Sequence, residues 1–97
     1  MIKGKTKSGF AFEVDEAVAK DARFVRMLTV LQSRKASEVY MAECFFDGVD
    51  AVLGVKAAER FLKHHEDENG VAPIDKVMVE FFEIVQKIEE KSDTAKK

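Results

Sequence analysis

The stretch His64-His65-Glu66-Asp67-Glu68-Asn69-Gly70 gathers two imidazoles, three carboxylates and a carboxamide. All of these are metal-ligand types. Ligands carried on one helix converge when they are spaced i and i+4. His64 and His65 are adjacent, about 100° apart around a helix axis, and cannot easily share one ion. No cysteine lies nearby, and the run lacks the D-x-[DN]-x-[DN]-G order of a calcium loop. The same residues suit the end of a helix, where imidazoles meet the last free carbonyls and Asn69-Gly70 turns the chain. His65 is expected on the apolar side of that helix and His64 toward solvent with Lys63. No metal and no other cofactor is expected.

Cys44 is the single cysteine. Paired with a histidine it would be a candidate nucleophile. It lies among Tyr40, Met41, Phe45 and Phe46, where a thiol serves as packing. No third member of a triad, no paired carboxylates over a cleft and no glycine-rich phosphate loop can be assembled. The expectation is a protein that is not an enzyme and takes no small-molecule substrate.

The elements that must position these residues can be read from composition and period. The chain has 97 residues, the length of one domain with a small core. Hydrophobic residues make up 46% and charged residues 35%, which excludes wholesale disorder. A net charge of −2 argues against general nucleic-acid binding. One cysteine permits no internal disulfide and fits a reducing compartment. The opening MIKGKTKSGF carries no apolar leader, and no run approaches the roughly 18 apolar residues of a membrane span. A soluble cytoplasmic protein with no membrane partner is expected.

Residues 2–14 alternate and predict a hairpin. A three-residue loop, Lys7-Ser8-Gly9, pairs Thr6 with Phe10, Gly4 with Phe12 and Ile2 with Val14, so that all the apolar residues share one face. Gly9 then takes the left-handed conformation. Lys3, Lys5 and Lys7 line the opposite face of the strand, where lysines solvate it and hinder edge-to-edge pairing. Beyond Val14 the period becomes helical. Asp15-Glu16 opens a turn and Asp21 caps a first helix carrying Phe24, Val25, Leu28 and Leu31. Ser37 caps a second helix through about Leu53, stopped by Gly54. A third runs from Val55 to about Glu66. Pro73 sits at the first position of a fourth, with Ile74, Val77, Met78, Phe81, Ile84, Val85 and Ile88. The fold class is mainly α, with four helices and a small N-terminal β-hairpin. Residues 1–91 form one domain, and 92–97 are expected to be a flexible tail.

Phenylalanine occurs eight times, twice as a pair: Phe45-Phe46 and Phe81-Phe82. One buried stripe cannot hold both members of a pair, because neighbours on a helix differ by about 100°. Either the helix is enclosed on several sides, or it offers an apolar surface to a partner. The interaction surface is expected on the second and fourth helices, around Phe45, Phe46, Val79 and Phe82, with the outward member of the Phe45-Phe46 pair undecided. Replacing Phe82 with Ser is expected to spare the fold and weaken association.

The order of segments SGFAFEVDE, DARFVRMLTVL, FFDGVDAVLG, LKHHEDENG and VMVEFFEIVQKI resembles the small tail assembly chaperones of long-tailed (siphovirus-type) bacteriophages and prophages. The resemblance spans nearly the whole chain and rests on order and spacing, since each motif is short. The chain departs from the pattern in having more Phe and Met where Leu is usual, and more Lys and Arg in the first helix.

The resemblance implies a non-enzymatic role in the host bacterial cytoplasm. Such chaperones bind the tape measure protein, promote assembly of the tail tube protein around it and are absent from the mature virion. It also implies a minor frameshifted form in many such phages. Ala95-Lys96-Lys97 is compatible with a slippery lysine-codon run. A homo-oligomer is expected. The alternatives are a helical structural subunit that stays in a phage particle, or a small dimeric DNA-binding regulator. The regulator would need a basic helix, for which Arg23, Arg26, Arg34 and Lys35 are the only cluster, diluted by Asp15, Glu16 and Asp21.

Overall fold

Asp21 and Ser37 begin the first two long helices, each by accepting a backbone N–H from the first turn: Arg23 for Asp21 and Tyr40 for Ser37. In the computed structural model, which describes residues 1–91, the order is β1 (Ile2–Lys5), β2 (Ala11–Val14), a short 3-10 helix (Glu16–Lys20), α1 (Ala22–Gln32), α2 (Glu38–Leu53), α3 (Val55–His64) and α4 (Ile74–Lys91). The mainly α class with a small antiparallel N-terminal hairpin is therefore observed. The tail expected at 92–97 lies outside the described residues.

The hairpin has the expected register. Ile2 pairs with Val14 and Gly4 with Phe12. Thr6 N–H donates to the Phe10 carbonyl at 2.9 Å. Gly9 closes the loop at φ 96°, open to glycine at little cost. Ile2, Phe10, Phe12 and Val14 are thereby all buried.

Two boundaries differ from expectation. α3 ends at His64 rather than near Glu66. There the Asp67 carboxylate accepts the N–H groups of Asn69 and Val71, and a turn replaces another helical round. Pro73 stands just before α4 rather than at its first position, its carbonyl accepting from Val77 N–H at 3.1 Å.

A chain of aromatic rings ties the elements together. Phe10 of the hairpin meets Phe61 of α3 edge-on at 5.0 Å. Phe61 meets Phe81 of α4 at 6.2 Å, and Phe81 meets Phe45 of α2 at 5.5 Å. Such edge-to-face pairs stabilise beyond their buried area. One member of each Phe pair thus enters the core: Phe45 is 1% exposed and Phe81 0%. Phe46 and Phe82 are half-buried against it. α1 and α2 pack together closely because Gly48 has no side chain. A Cβ there would collide with the side chain of Met27.

Candidate functional site

Two features stand out: a buried polar tie and an apolar groove. The tie is built from the residues that looked most like chemistry, joined by a partner from α4. The Glu80 carboxylate, 8% exposed, accepts Ser8 N–H at 2.9 Å and Ser8 Oγ–H at 2.8 Å. His65 Nε2 lies 3.1 Å from the same carboxylate. Thr6 adds a hydroxyl from β1's end, while its Oγ1 accepts from Phe10 N–H at 3.1 Å. Burial pushes the Glu80 carboxyl up. The hydrogen bonds from Thr6, from the side chain and backbone of Ser8 and from His65 outweigh that and hold it down at about 2. One ionised side chain therefore fastens the hairpin tip, the end of α3 and the middle of α4. One turn further along α4, Glu83 accepts Lys7 N–H at 3.2 Å.

His65 lies on the apolar side of α3, as its spacing requires, with 5% of its side chain exposed. Its Nδ1 lies 2.8 Å from the Phe61 carbonyl. Both ring nitrogens thus face oxygen atoms of the protein. His64, expected to point to solvent, is exposed but engaged. Its Nε2 lies 2.9 Å from Ser8 Oγ, and its ring stands edge-on to Phe10 at 5.5 Å. The hairpin tip folds back over α3, which the isolated helix could not reveal. Among the described residues no group of three His, Cys, Asp or Glu is placed to hold a metal ion. Ser8 touches both His64 and Glu80, but Glu80 orients the other histidine, so no relay from carboxylate through imidazole to hydroxyl exists. Cys44 is buried on α2, away from the tie made by His64 and His65.

The groove lies between α2 and α4, with the end of α1 beside it. Its volume is about 300 Å³, and its lining is Leu31, Glu38, Met41, Ala42, Phe45, Ile74 and Met78. On α4, Ile74 and Met78 are one turn apart and share a face. On α2, Met41 and Ala42 each lie one turn from Phe45. Ile74 is 51% exposed, and Ala42 and Glu38 are exposed on the α2 side. Two methionines give the lining an adaptable surface. Glu38 is the charged residue of the lining.

The expected contact residues are redistributed. Of the Phe45-Phe46 pair, left undecided by the sequence, Phe45 is the inward member, seated in the core as part of the groove wall. Phe46 is half-buried, its ring 5.1 Å from Phe45. Phe82 is also half-buried, 6.2 Å from Phe45, and continues the Ile74–Met78 stripe by one turn. Val79 is 65% exposed, but it borders a different depression with Ser8, His65 and Glu80. Leu31, Met41, Ala42, Ile74 and Met78 were missed as surface residues, because each fits an apolar helical stripe that reads as core.

Two cations of the basic cluster are paired: Arg23 with Asp21 at 3.2 Å and Arg26 with Asp47 at 3.1 Å. Among the described residues no helix is long and apolar enough to cross a membrane. A scan against protein-family models gives no match, and searches of curated proteins and of solved structures give none either.

Proposed function

We propose that the protein is a non-enzymatic chaperone for apolar helices, acting in phage tail assembly. Its client would be the tape measure protein, held while tail tube subunits assemble around it in the host cytoplasm. The observation that carries this reading is the open apolar groove between α2 and α4, about 300 Å³ in volume, with Ile74 exposed in its lining. A groove of this kind accepts the apolar face of an amphipathic helix, with anchors at i, i+3, i+4 and i+7. Its limited size favours a client that can be released, and a chain with 35% charged residues stays soluble when free. The sequence resemblance supplies the phage context, and the groove supplies the physical means.

Co-expression with the tape measure protein of the same tail gene cluster tests the reading. The two are expected to purify together, with the client soluble only when the chaperone is present. Mass spectrometry of finished virions is expected to find the client and not the chaperone. A client that stays equally soluble alone would remove the chaperone role. Detection of the protein in virions would turn the reading into that of a structural subunit.

A further inference from the structure

A two-stranded sheet has two edges, and here they are unlike. Thr6 and Phe10 form a bonded pair next to the loop. The antiparallel alternation then makes Gly4–Phe12 and Ile2–Val14 the other bonded pairs. The N–H and C=O groups of Lys3 and Lys5 on β1, and of Ala11 and Glu13 on β2, therefore point away from the hairpin. α4 packs against β1 and α2 against β2, and on the β1 side Glu83, Gln86, Lys87 and Glu90 border the space beside Lys5. On the β2 side, Ala11 and Glu13 are exposed. Among the described residues, none donates to or accepts from the outward backbone groups of Ala11 and Glu13. The hairpin borders an open cleft of about 530 Å³, with Leu53, Ala57 and Arg60 across from it.

We propose that a second copy of this chain pairs with β2, edge to edge and antiparallel, making a four-stranded sheet in the order β1-β2-β2-β1. The register follows from the outward groups. A two-fold axis at Phe12 sets Ala11 of each copy opposite Glu13 of the other. All four outward N–H groups then find carbonyls. Shifting the axis to Glu13 would put two carboxylates face to face. Shifting it to Ala11 would set Glu13 against the loop residue Gly9. Only the Phe12 register uses both outward residues of both strands, and it is self-complementary, as a two-fold interface must be.

Charge supports the same register. On the outward face the row reads Lys3, Glu13, then Ala11 and Lys5 of the second copy. Glu13 already holds its own Lys3 at 3.2 Å. Lys5 of the second copy lies two strands away, about 10 Å at the backbone, and only the small Ala11 intervenes. That distance is within the combined reach of a glutamate and a lysine side chain. Each carboxylate thus sits between two ammonium groups. The lysines that hinder pairing at the β1 edge favour it at the β2 edge.

Sedimentation equilibrium of the purified full chain tests this. The wild type is expected to be dimeric at roughly 0.1 mM. Ala11→Pro removes an outward N–H from each copy and no bond inside the hairpin, as an edge position allows. It is expected to weaken association roughly tenfold or more with an unchanged far-ultraviolet circular dichroism spectrum. Glu13→Lys, on an exposed side chain, is expected to weaken it as well, and adding salt to the wild type should act in the same direction. A wild type that stays monomeric at that concentration overturns the proposal. So does a dimer whose affinity neither substitution changes. Should Ala11→Pro disturb the fold, Glu13→Lys alone decides.

Discussion

Replacing Glu80 with Gln keeps the shape of the side chain and removes the charge that draws the hairpin, α3 and α4 together. The carboxyl falls from an ordinary 4.5 to about 2 in the folded chain. At about 1.4 kcal/mol per pH unit, that difference is worth roughly 3 kcal/mol of stability at neutral pH. The sign is that of a depressed acid. The contribution is complete above the unfolded value of 4.5 and is lost as pH falls through 4.5 toward 2. For a domain of this size, a loss of roughly 3 kcal/mol lowers the midpoint of thermal unfolding by about 12–24 °C. Urea unfolding followed by circular dichroism, run on both proteins from pH 7 down to pH 3, reads the effect directly. The gap between wild type and Glu80→Gln should be near its full size at pH 7 and should close as the pH drops below 4.5. A gap under about 1 kcal/mol at pH 7, or one of constant size across the range, would refute the assignment of Glu80 as an ionised tie.

Gly48→Ala should lower stability by about 1–3 kcal/mol in a urea titration, because the new Cβ drives into Met27 where α1 meets α2. Phe45→Ala should lose about 3–5 kcal/mol, as for a fully buried ring. Phe82→Ser should lose distinctly less than Phe45→Ala, yet more than an exposed substitution. The half-buried ring packs on the core, so some stability is lost with it while the fold stays nearly intact.

The hairpin was legible because only one loop length puts Ile2, Phe10, Phe12 and Val14 on the same side. Helix starts were legible because Asp21 and Ser37 are cap residues standing directly before helical periods, and α2 stops where Gly54 takes φ 85°. The contacts of His64, His65 and Glu80 were not legible. Glu80 lies 72 positions from Ser8, and nothing local announces that the hairpin tip will return to it. One signal existed. Glu80 falls one turn from Val77 and from Ile84 on the buried face of α4, a charged residue inside an apolar stripe. Thr6 likewise occupies an inward position of β1's continuation and is 5% exposed. Buried polar residues on two separate elements call for each other, since neither can be left unpaired. The orientation of the Phe pairs was not legible either. Helical period fixes the angle between Phe81 and Phe82 but not which one meets the core, and that choice belongs to Phe61 and Phe45 across the interface. The groove escaped detection for the same reason: Met41, Ile74 and Met78 form good core stripes, and only the packing of α2 and α4 leaves them partly uncovered.

The most direct measurement of the central claim is client solubility with a groove variant. Ala42 is exposed and lines the groove, and glutamate is a good helix former, so Ala42→Glu places a charge in the lining with little effect on folding. The tape measure protein of the same gene cluster would be co-expressed with wild type or with Ala42→Glu, and its soluble fraction measured. If the groove holds the client, the client is soluble with wild type and aggregates with Ala42→Glu, at equal chaperone levels and similar thermal midpoints for the two chaperones. Equal client solubility with both would contradict it.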